Sequence, residues 1–445
     1  MRGRAHLIHD AVRSQLWPIP ILGVLVAVIL GAMVPQVAAL VDGRLSGWLD
    51  DLMFSGDAGA ARSVLDAVSS SLITVTSLTF SLTVVTLQLA SSQFSPRLLR
   101  TFTKDLFVQV TLAVFLATFT FSLTVLRAVR SSEESAAPFV PRIAVSASFL
   151  LAITSVVCLV LFLAHLTRQI RIETMLENVH TEATETAQST LTRHDEPVPS
   201  EPLPLRPVGH LRVHAECSGF LLRTAENDII DIACEIDGIV AVERMPGDFV
   251  VAGTLIGTVW RRDGSPLTAS EAERAATVIS SALHVGPERT GAQDVRYGLR
   301  QLVDVVNKAL SPGINDPTTA VHALGHISAF LCELAPYRLG PVVRADQHDV
   351  VRVEFTRPTF ADCLDLALTQ PRHYGGSDPL LVIRLLELLQ ELAWSAPIDD
   401  LPTVLDQLDR LTATARKQDF DRVEQTRHAR LVEETRNIAA NRQSR

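Results

Sequence analysis

Long apolar runs fill the first third of the chain, and their lengths predict membrane-spanning helices. A helix rises about 1.5 Å per residue, so roughly 20 apolar residues cross a hydrocarbon core of about 30 Å. Few or no charges interrupt these runs, which indicates about four transmembrane helices in a domain covering residues 17–166. The runs lie at residues 17–41, 72–92, 106–126 and 143–166.

The second run differs from the others because it is crowded with hydroxyl and amide side chains. A helix carrying polar groups on two opposite faces is not expected to contact lipid all round. One stripe is loose and contains Thr76, Thr79, Thr83, Thr86 and Gln93. A narrower set of polar residues lies on the opposite face, within an arc of about 60° when each residue turns the helix by about 100°. We predict that this set lines a pore or packs on a neighbouring helix. Its members are Ser70, Thr74, Ser77, Ser81, Gln88 and Ser92.

Two interpretations of this polar face stay open. In the first, the hydroxyl groups bond back to their own helix and allow close packing of neighbouring helices. In the second, the face is hydrated and lines a pore. The middle of each run lacks an ionisable side chain, and His165 stands at an end of the fourth run. That pattern argues against a proton-coupled carrier and is compatible with a channel.

The basic residues predict the orientation of the chain. Positive charge favours the cytoplasmic side, which places residues 1–16 and the end of the fourth run inside. Both termini of this multi-pass protein are therefore expected in the cytoplasm. Residues 41–68 are predicted to form an outer polar link with a short surface helix near residues 45–53. The loop after the second run is predicted to bind anionic lipid or to couple the two halves through Arg97, Arg100 and Lys104.

The rest of the chain predicts a cytoplasmic α+β region. The fold class expected is thus an α-helical membrane protein with a C-terminal α+β cytoplasmic region that contains a small β-module. An amphipathic stalk helix is expected to continue the fourth run, and it either assembles around an axis or packs on its own domain. The segments are a stalk and Pro-rich linker at 167–209, a β-rich module at 210–262, a mainly helical domain at 263–414 and a charged helix or tail at 415–445.

The loop SPGIN at residues 311–315 separates two predicted helices. Pro317 suits the first turn of the second helix, with Asp316 as its N-cap. This cap accounts for the loop. The alternative is a ligand or ion site made by Asn315, Asp316 and the N-terminus of the helix.

Other patterns exclude several kinds of site. His322 and His326 lie one helical turn apart, but no third ligand accompanies them, so no metal site is predicted. The five cysteines lie far apart without a CxxC pair, which indicates reduced thiols. With a net charge of −9, 5% aromatic residues and no basic patch, the 445-residue chain is not expected to bind nucleic acid. We identify no catalytic motif and predict neither an enzyme nor a cofactor.

Two long segments resemble the hallmark stretches of a bacterial family of predicted membrane proteins, the domain of unknown function 2254. They are SLTFSLTVVTLQLASSQFSPRLLRTFTKD and YGLRQLVDVVNKALSPGINDPTTA, with PGDFVVAG between them. The resemblance covers residues from about 17 to about 411. It implies a bacterial inner-membrane protein with an N-terminal membrane half, and it brings neither catalytic residues nor a substrate.

Two functions are compatible with these features. The first is an oligomeric channel or channel-like transport protein gated by its cytoplasmic domain. The alternative is a membrane-anchored scaffold or sensor that moves no solute. The partners expected are membrane lipids, further copies of the chain and a possible small ion or ligand.

Overall fold

The computed structural model describes residues 17–41, 53–93, 105–130, 139–169, 171–199 and 201–444, without the side chains of 38–41 and 90–93. Contacts divide the chain into an apolar unit that ends at Arg171 and a C-terminal unit that begins at Ile172. Among the described residues, four helices are long and apolar enough to cross a membrane, as the sequence predicts. They are α1 (Pro18–Val41), α2 (Ala58–Gln93), α3 (Leu106–Ala128) and α4 (Arg142–Gln169).

Helix α2 begins well before the predicted start of the second run near residue 72. The Asp57 carboxylate accepts a hydrogen bond from the backbone N–H of Ala60 (2.8 Å) and caps the helix. Arg62 donates to the carbonyl of Val129 (3.1 Å), so its charge does not interrupt the helix. The predicted polar link is therefore partly helical. The predicted surface helix falls mainly on residues outside the described ranges.

Helices α1 and α3 pack closely because small residues line their contact. A Cβ atom placed on Gly23 would lie 3.3 Å from the Cβ of Ala113, and one on Gly31 would lie 2.7 Å from the Cβ of Thr124. Ala27, midway between the two glycines, is buried. This spacing of small residues by four lets the two backbones approach closely.

The C-terminal unit combines helices with two small sheets, in agreement with the predicted α+β class. Its helices are α5 (Ile172–Thr190), α6 (Glu226–Glu235), α7 (Ala269–Ala282), α8 (Val295–Ala309), α9 (Pro317–Glu333), α10 (Phe360–Gly375), α11 (Pro379–Ser395), α12 (Leu401–Ala415) and α13 (Arg422–Gln443). Its strands are β1 (Leu211–His214), β2 (Gly219–Thr224), β3 (Gly238–Val242), β4 (Phe249–Val250), β5 (Leu255–Arg261), β6 (Leu283–Gly286), β7 (Val342–Ala345) and β8 (Val351–Phe355).

The sheets draw on strands from beyond the predicted β-rich stretch. The larger sheet has the order β1-β5-β3-β8-β7, and the smaller has the order β4-β2-β6. Strands β3 and β8 pair in parallel, with Val240 opposite Val353. Both residues belong to a core that also contains Ile229 and Ile279. Residues 210–262 therefore share their sheets with later segments.

Helix α5 does not continue α4, contrary to the prediction. Helix α4 ends at Gln169 and α5 begins at Ile172, and Ile170 between them lies outside the described residues. Within the C-terminal unit, α5 packs on α8 so closely that a Cβ atom on Gly298 would lie 2.4 Å from the Cβ of Ala183. Helix α5 thus packs on its own domain, as one alternative predicts, and assembly around an axis stays a prediction.

Of the two forms predicted for residues 415–445, a charged helix or a tail, the described residues show a helix that packs on the unit. Asp421 and Glu424 form a capping box at the start of α13, and the helix buries Leu431 and Thr435. Near its end, Arg442 donates to the carbonyl groups of Ala393 and Ala396 (2.9 and 2.7 Å). These bonds hold the last turns of α13 against α11.

Candidate functional site

The threonine stripe of α2 faces the interior of the apolar unit. Thr76, Thr79, Thr83 and Thr86 are all buried. Three of the hydroxyl groups donate to the carbonyl four residues earlier, at 2.6–2.9 Å. The Thr79 hydroxyl has no hydrogen-bond partner among the described residues. The stripe is thus a packing surface whose polar groups are satisfied mostly within their own helix.

Hydroxyl groups from α3 and α4 share this interior. Thr118 and Ser155 meet across the helices at 3.3 Å, and both are buried. The buried hydroxyl groups of Ser122 and Ser148 lack a hydrogen-bond partner within the described part of the chain. The interior of this unit therefore contains more polar groups than its hydrogen bonds satisfy.

The predicted pore-lining or packing face of α2 lies on the outside of the single chain. Ser70, Thr74, Ser77, Ser81 and Gln88 are all exposed, and the side chain of Ser92 lies outside the described residues. Ser70 and Thr74 donate to carbonyl groups of their own helix (2.8 and 3.0 Å). No hydrogen bond within the described residues involves the side chains of Ser77, Ser81 or Gln88. The structure thus brings the five described residues together on one uncovered face.

Clefts flank α2 on both sides. One, of about 440 Å³, is lined by Trp17 and Ile21 together with Ile73, Ser77 and Phe80 of α2. The other, of about 310 Å³, lies between α2 and α4. Helix α2 therefore contacts the bundle through its threonine stripe and leaves room on either side for a neighbouring helix or an acyl chain.

A polar cluster lies at one end of the bundle, and only one of its residues was identified from the sequence. His165 meets the Asp105 carboxylate at 2.5 Å, and Gln169 donates to the same carboxylate at 3.3 Å. Asp105 also caps α3 by accepting from the N–H of Phe107 (2.9 Å). Sequence reasoning singled out His165 but not Asp105, because the two are 60 residues apart. The predicted lipid-binding residues Arg97, Arg100 and Lys104 lie outside the described ranges.

The Asn315–Asp316 loop has the predicted capping geometry. The Asp316 carboxylate accepts from the N–H of Thr319 (3.1 Å) and from its hydroxyl (2.6 Å), and these bonds hold the pKa of Asp316 below its ordinary value. Asn315 adopts a φ of 50° in the tight turn, and its side chain is exposed. Helix capping by Asp316 is confirmed. The ligand site stays a prediction.

Asp294 forms a second helix cap, away from this loop. Asp294 caps the start of α8, and the loop follows the end of this 15-residue helix, about 22 Å away. Asp294 is buried and pairs with Arg289 at 2.5 Å. Burial raises the pKa of Asp294, and the Arg289 guanidinium opposes that rise.

The start of α8 joins two of the sequence motifs. Arg296 donates to Asp248 in the PGD turn at 2.9 Å. Gly247 of the same turn has a φ of 93°, and a Cβ atom there would lie 2.1 Å from the Asp294 carboxylate. Asp248 pairs with Arg296, and Asp294 pairs with Arg289. These ion pairs connect the PGD turn to the start of α8. Sequence reasoning missed it because the turn and the helix start are 48 residues apart.

The two histidines of α9 face different surroundings. His322 is exposed, whereas His326 lies 5.4 Å from the ring of His180 on α5. His180 also meets Glu333 at 3.1 Å. Burial and the neighbouring His180 lower the pKa of His326. Among the described residues, no group of three or more His, Cys, Asp or Glu side chains is placed to hold a metal ion.

Comparisons with known proteins agree with the sequence resemblance. Residues 13–391 match a family described as "Predicted membrane protein (DUF2254)". Uncharacterized proteins of Mycobacterium bovis and of two Mycobacterium tuberculosis strains are 37% identical to the chain over 399 residues, covering 88% of this chain and 74% of each relative. No solved structure matches the chain.

Proposed function

The chain belongs to the DUF2254 family of predicted membrane proteins, and on that premise we propose that it is an oligomeric, channel-like membrane protein. Copies of the chain meet at the exposed polar face of α2, and water reaches the hydroxyl groups on that face. The observation that carries the proposal is the split between the two faces of α2. Thr76, Thr79, Thr83 and Thr86 are buried within the chain, whereas the five described residues of the opposite face, between Ser70 and Gln88, are exposed among the described residues.

The composition of this face favours contact with another helix or with water over contact with lipid. Ser77 and Ser81 are small, so a partner helix can approach closely. Leu78 and Phe80, which flank them, are 64% and 54% exposed and are suited to hydrocarbon. No ionisable side chain occurs between Asp66 and Arg97, so the face is polar but uncharged.

The proposal includes an orientation and a partner. Four spans place both termini in the cytoplasm of a bacterium, and Arg97, Arg100 and Lys104 meet anionic headgroups of the inner membrane at about 1 kcal/mol each. The C-terminal unit then gates the assembly from the cytoplasmic side. No catalytic step is part of this function.

Cysteine scanning along α2 tests the hydrated face. Ser77→Cys and its neighbour Leu78→Cys are matched because both side chains are exposed in the single chain. A charged thiol reagent requires water to reach its target, since the thiolate is the reacting form. We expect rapid modification of Ser77→Cys in membranes and slow modification of Leu78→Cys.

The native cysteines are expected to add little to the measured reaction with the thiol reagent. Burial raises the pKa of Cys234, Cys332 and Cys363, which keeps these thiols slow to react. Cys158→Ala and Cys217→Ser remove the other two. Equal, slow reaction at positions 77 and 78, with reaction only at the ends of α2, would rule out the channel and favour a dry scaffold. Crosslinking of Ser77→Cys between copies then reports separately whether the chain is an oligomer.

A further inference from the structure

A cavity of about 540 Å³ lies in the C-terminal unit between α11, α12 and α13. This volume falls within the range of small-molecule sites, which are about 300–1,000 Å³. Its walls include Leu386 of α11, Ala415 of α12, Phe420 of the following loop and Val432 of α13. All but Ala415 are at least nine-tenths buried, so these side chains form a defined apolar surface.

One wall also carries a buried polar atom without a partner. His428 lines the cavity and is 7% exposed, and its Nε2 makes no hydrogen bond within the described part of the chain. Phe420 holds the imidazole edge to face at 5.0 Å. Burial lowers the pKa of His428, against the opposing effect of Glu424 and the Pro379 carbonyl. Buried polar atoms in folded proteins nearly always have a partner, so this wall is not ordinary core.

Some charged side chains at the cavity already form an ion pair, and others do not. Arg436 pairs with Asp409 at 2.6 Å. Arg416 is exposed, and its guanidinium makes no hydrogen bond or ion pair with the described residues. Glu433 also lines the cavity and is exposed. The lining thus contains two arginines and one glutamate, and among the described residues neither Arg416 nor Glu433 has an oppositely charged partner.

We propose that this cavity binds a small amphipathic carboxylate, with its apolar body against Phe420 and Val432 and its carboxylate on Arg416. A planar guanidinium matches a carboxylate through paired hydrogen bonds, which distinguishes this ligand from an alcohol of the same shape. The apolar walls supply the remaining affinity through buried area. The site is separate from the face of α2 and does not depend on transport.

The probe is 4-phenylbutyrate, compared with 4-phenylbutanol as its uncharged counterpart. Binding is measured by calorimetry on the full chain in nanodiscs of dimyristoyl phosphatidylcholine, with empty nanodiscs as the background. We expect saturable binding of the carboxylate that is about tenfold tighter than that of the alcohol, since a charge-assisted hydrogen bond is lost. Bound ligand also raises the melting temperature by mass action.

Three variants locate the site. Val432→Trp fills the cavity and abolishes binding of both probes. Arg416→Gln weakens phenylbutyrate binding about tenfold and leaves phenylbutanol unchanged. Lys417→Gln is the matched control, because this exposed neighbour does not line the cavity. Where Val432→Trp unfolds, Ala415→Phe takes its place as the filling substitution.

Several results would overturn the proposal. These are the absence of saturable binding above empty nanodiscs, equal affinity for the two probes, and unchanged binding in a folded cavity-filling variant. Equal weakening by Arg416→Gln and Lys417→Gln would also contradict it, since general electrostatics would then explain the preference for an anion.

Discussion

The apolar unit and the C-terminal unit differ in the side chains that they leave exposed. Both units bury apolar side chains, such as Phe115 in the first and Leu299 in the second. In the apolar unit, however, Leu150 is 65% exposed while Thr118 and Ser148 are fully buried, whereas the charged side chains of the C-terminal unit lie mostly outside. Such a difference between surfaces is expected when one unit has hydrocarbon as its solvent and the other has water.

Threonine bonds back to its own helix in both units. Thr83 in α2 and Thr435 in α13 each donate to the carbonyl four residues earlier, at 2.8 and 2.7 Å. The C-terminal unit also uses threonine in a second way, since Thr268 and Thr359 begin helices within capping boxes. The comparison shows that threonine content alone does not identify a pore.

Close helix contact at a glycine is the feature that the two units share, and it gives the largest predicted effect. Gly298→Ala would place a methyl group 2.4 Å from the Cβ of Ala183, so α5 and α8 must separate. We expect a loss of about 2 kcal/mol after the better helix propensity of alanine is included. Thermal unfolding followed by circular dichroism measures the change.

The matched control is Gly325→Ala in α9, where no atom lies within 4 Å of the added Cβ. That variant is expected to gain up to about 1 kcal/mol. A similar loss in both variants would mean that the contact with Ala183 is not the cause.

An intermediate effect is expected at Asp316, which tests capping in the C-terminal unit. Asp316→Ala removes the bonds to Thr319 and is expected to cost about 1 kcal/mol, whereas Asp316→Asn retains a good cap. Chemical denaturation of both variants gives the comparison. If both stay folded yet both lose a cellular phenotype equally, a ligand site at Asn315 and Asp316 gains support over simple capping.

The smallest effect is expected inside the apolar unit. Thr79→Val removes a buried hydroxyl that has no partner among the described residues, so stability should change by less than about 0.5 kcal/mol. Thr83→Val is the matched control, since it breaks a bond of 2.8 Å to the Thr79 carbonyl and should cost about 0.6 kcal/mol. Unfolding in mixed detergent micelles measures both. A loss above about 1 kcal/mol for Thr79→Val would indicate that this hydroxyl bonds to water or to another copy.

Local signals in the sequence predicted the local structure. The apolar runs predicted the four long apolar helices of the described residues, and Asp316 and Pro317 correctly marked a helix start. Helical periodicity also separated the two polar faces of α2. It could not decide which face is buried, because that depends on where α3 and α4 pack.

Features that depend on distant contacts could not be predicted. Helix α2 extends back to Ala58, and its first turns include Arg62, which donates to the Val129 carbonyl 67 residues away. Strand β8 joins β3 across more than 100 residues, so the β-rich stretch could not be bounded from its own pattern. The Asp248–Arg296 and Asp105–His165 pairs were not predicted, because the partners in each pair lie far apart in the sequence.

Helix α2 has 36 residues and measures about 54 Å, well beyond a hydrocarbon layer of about 30 Å. Tilting alone does not absorb such an excess, because spanning helices lean by about 20° on average. In a bilayer of that thickness some of its turns would lie among the headgroups, and the charges of Arg62 and Asp66 indicate which end would protrude. Changing lipid chain length would shift which serines sit at mid-depth, so bilayer thickness is a physical variable to which this helix is exposed.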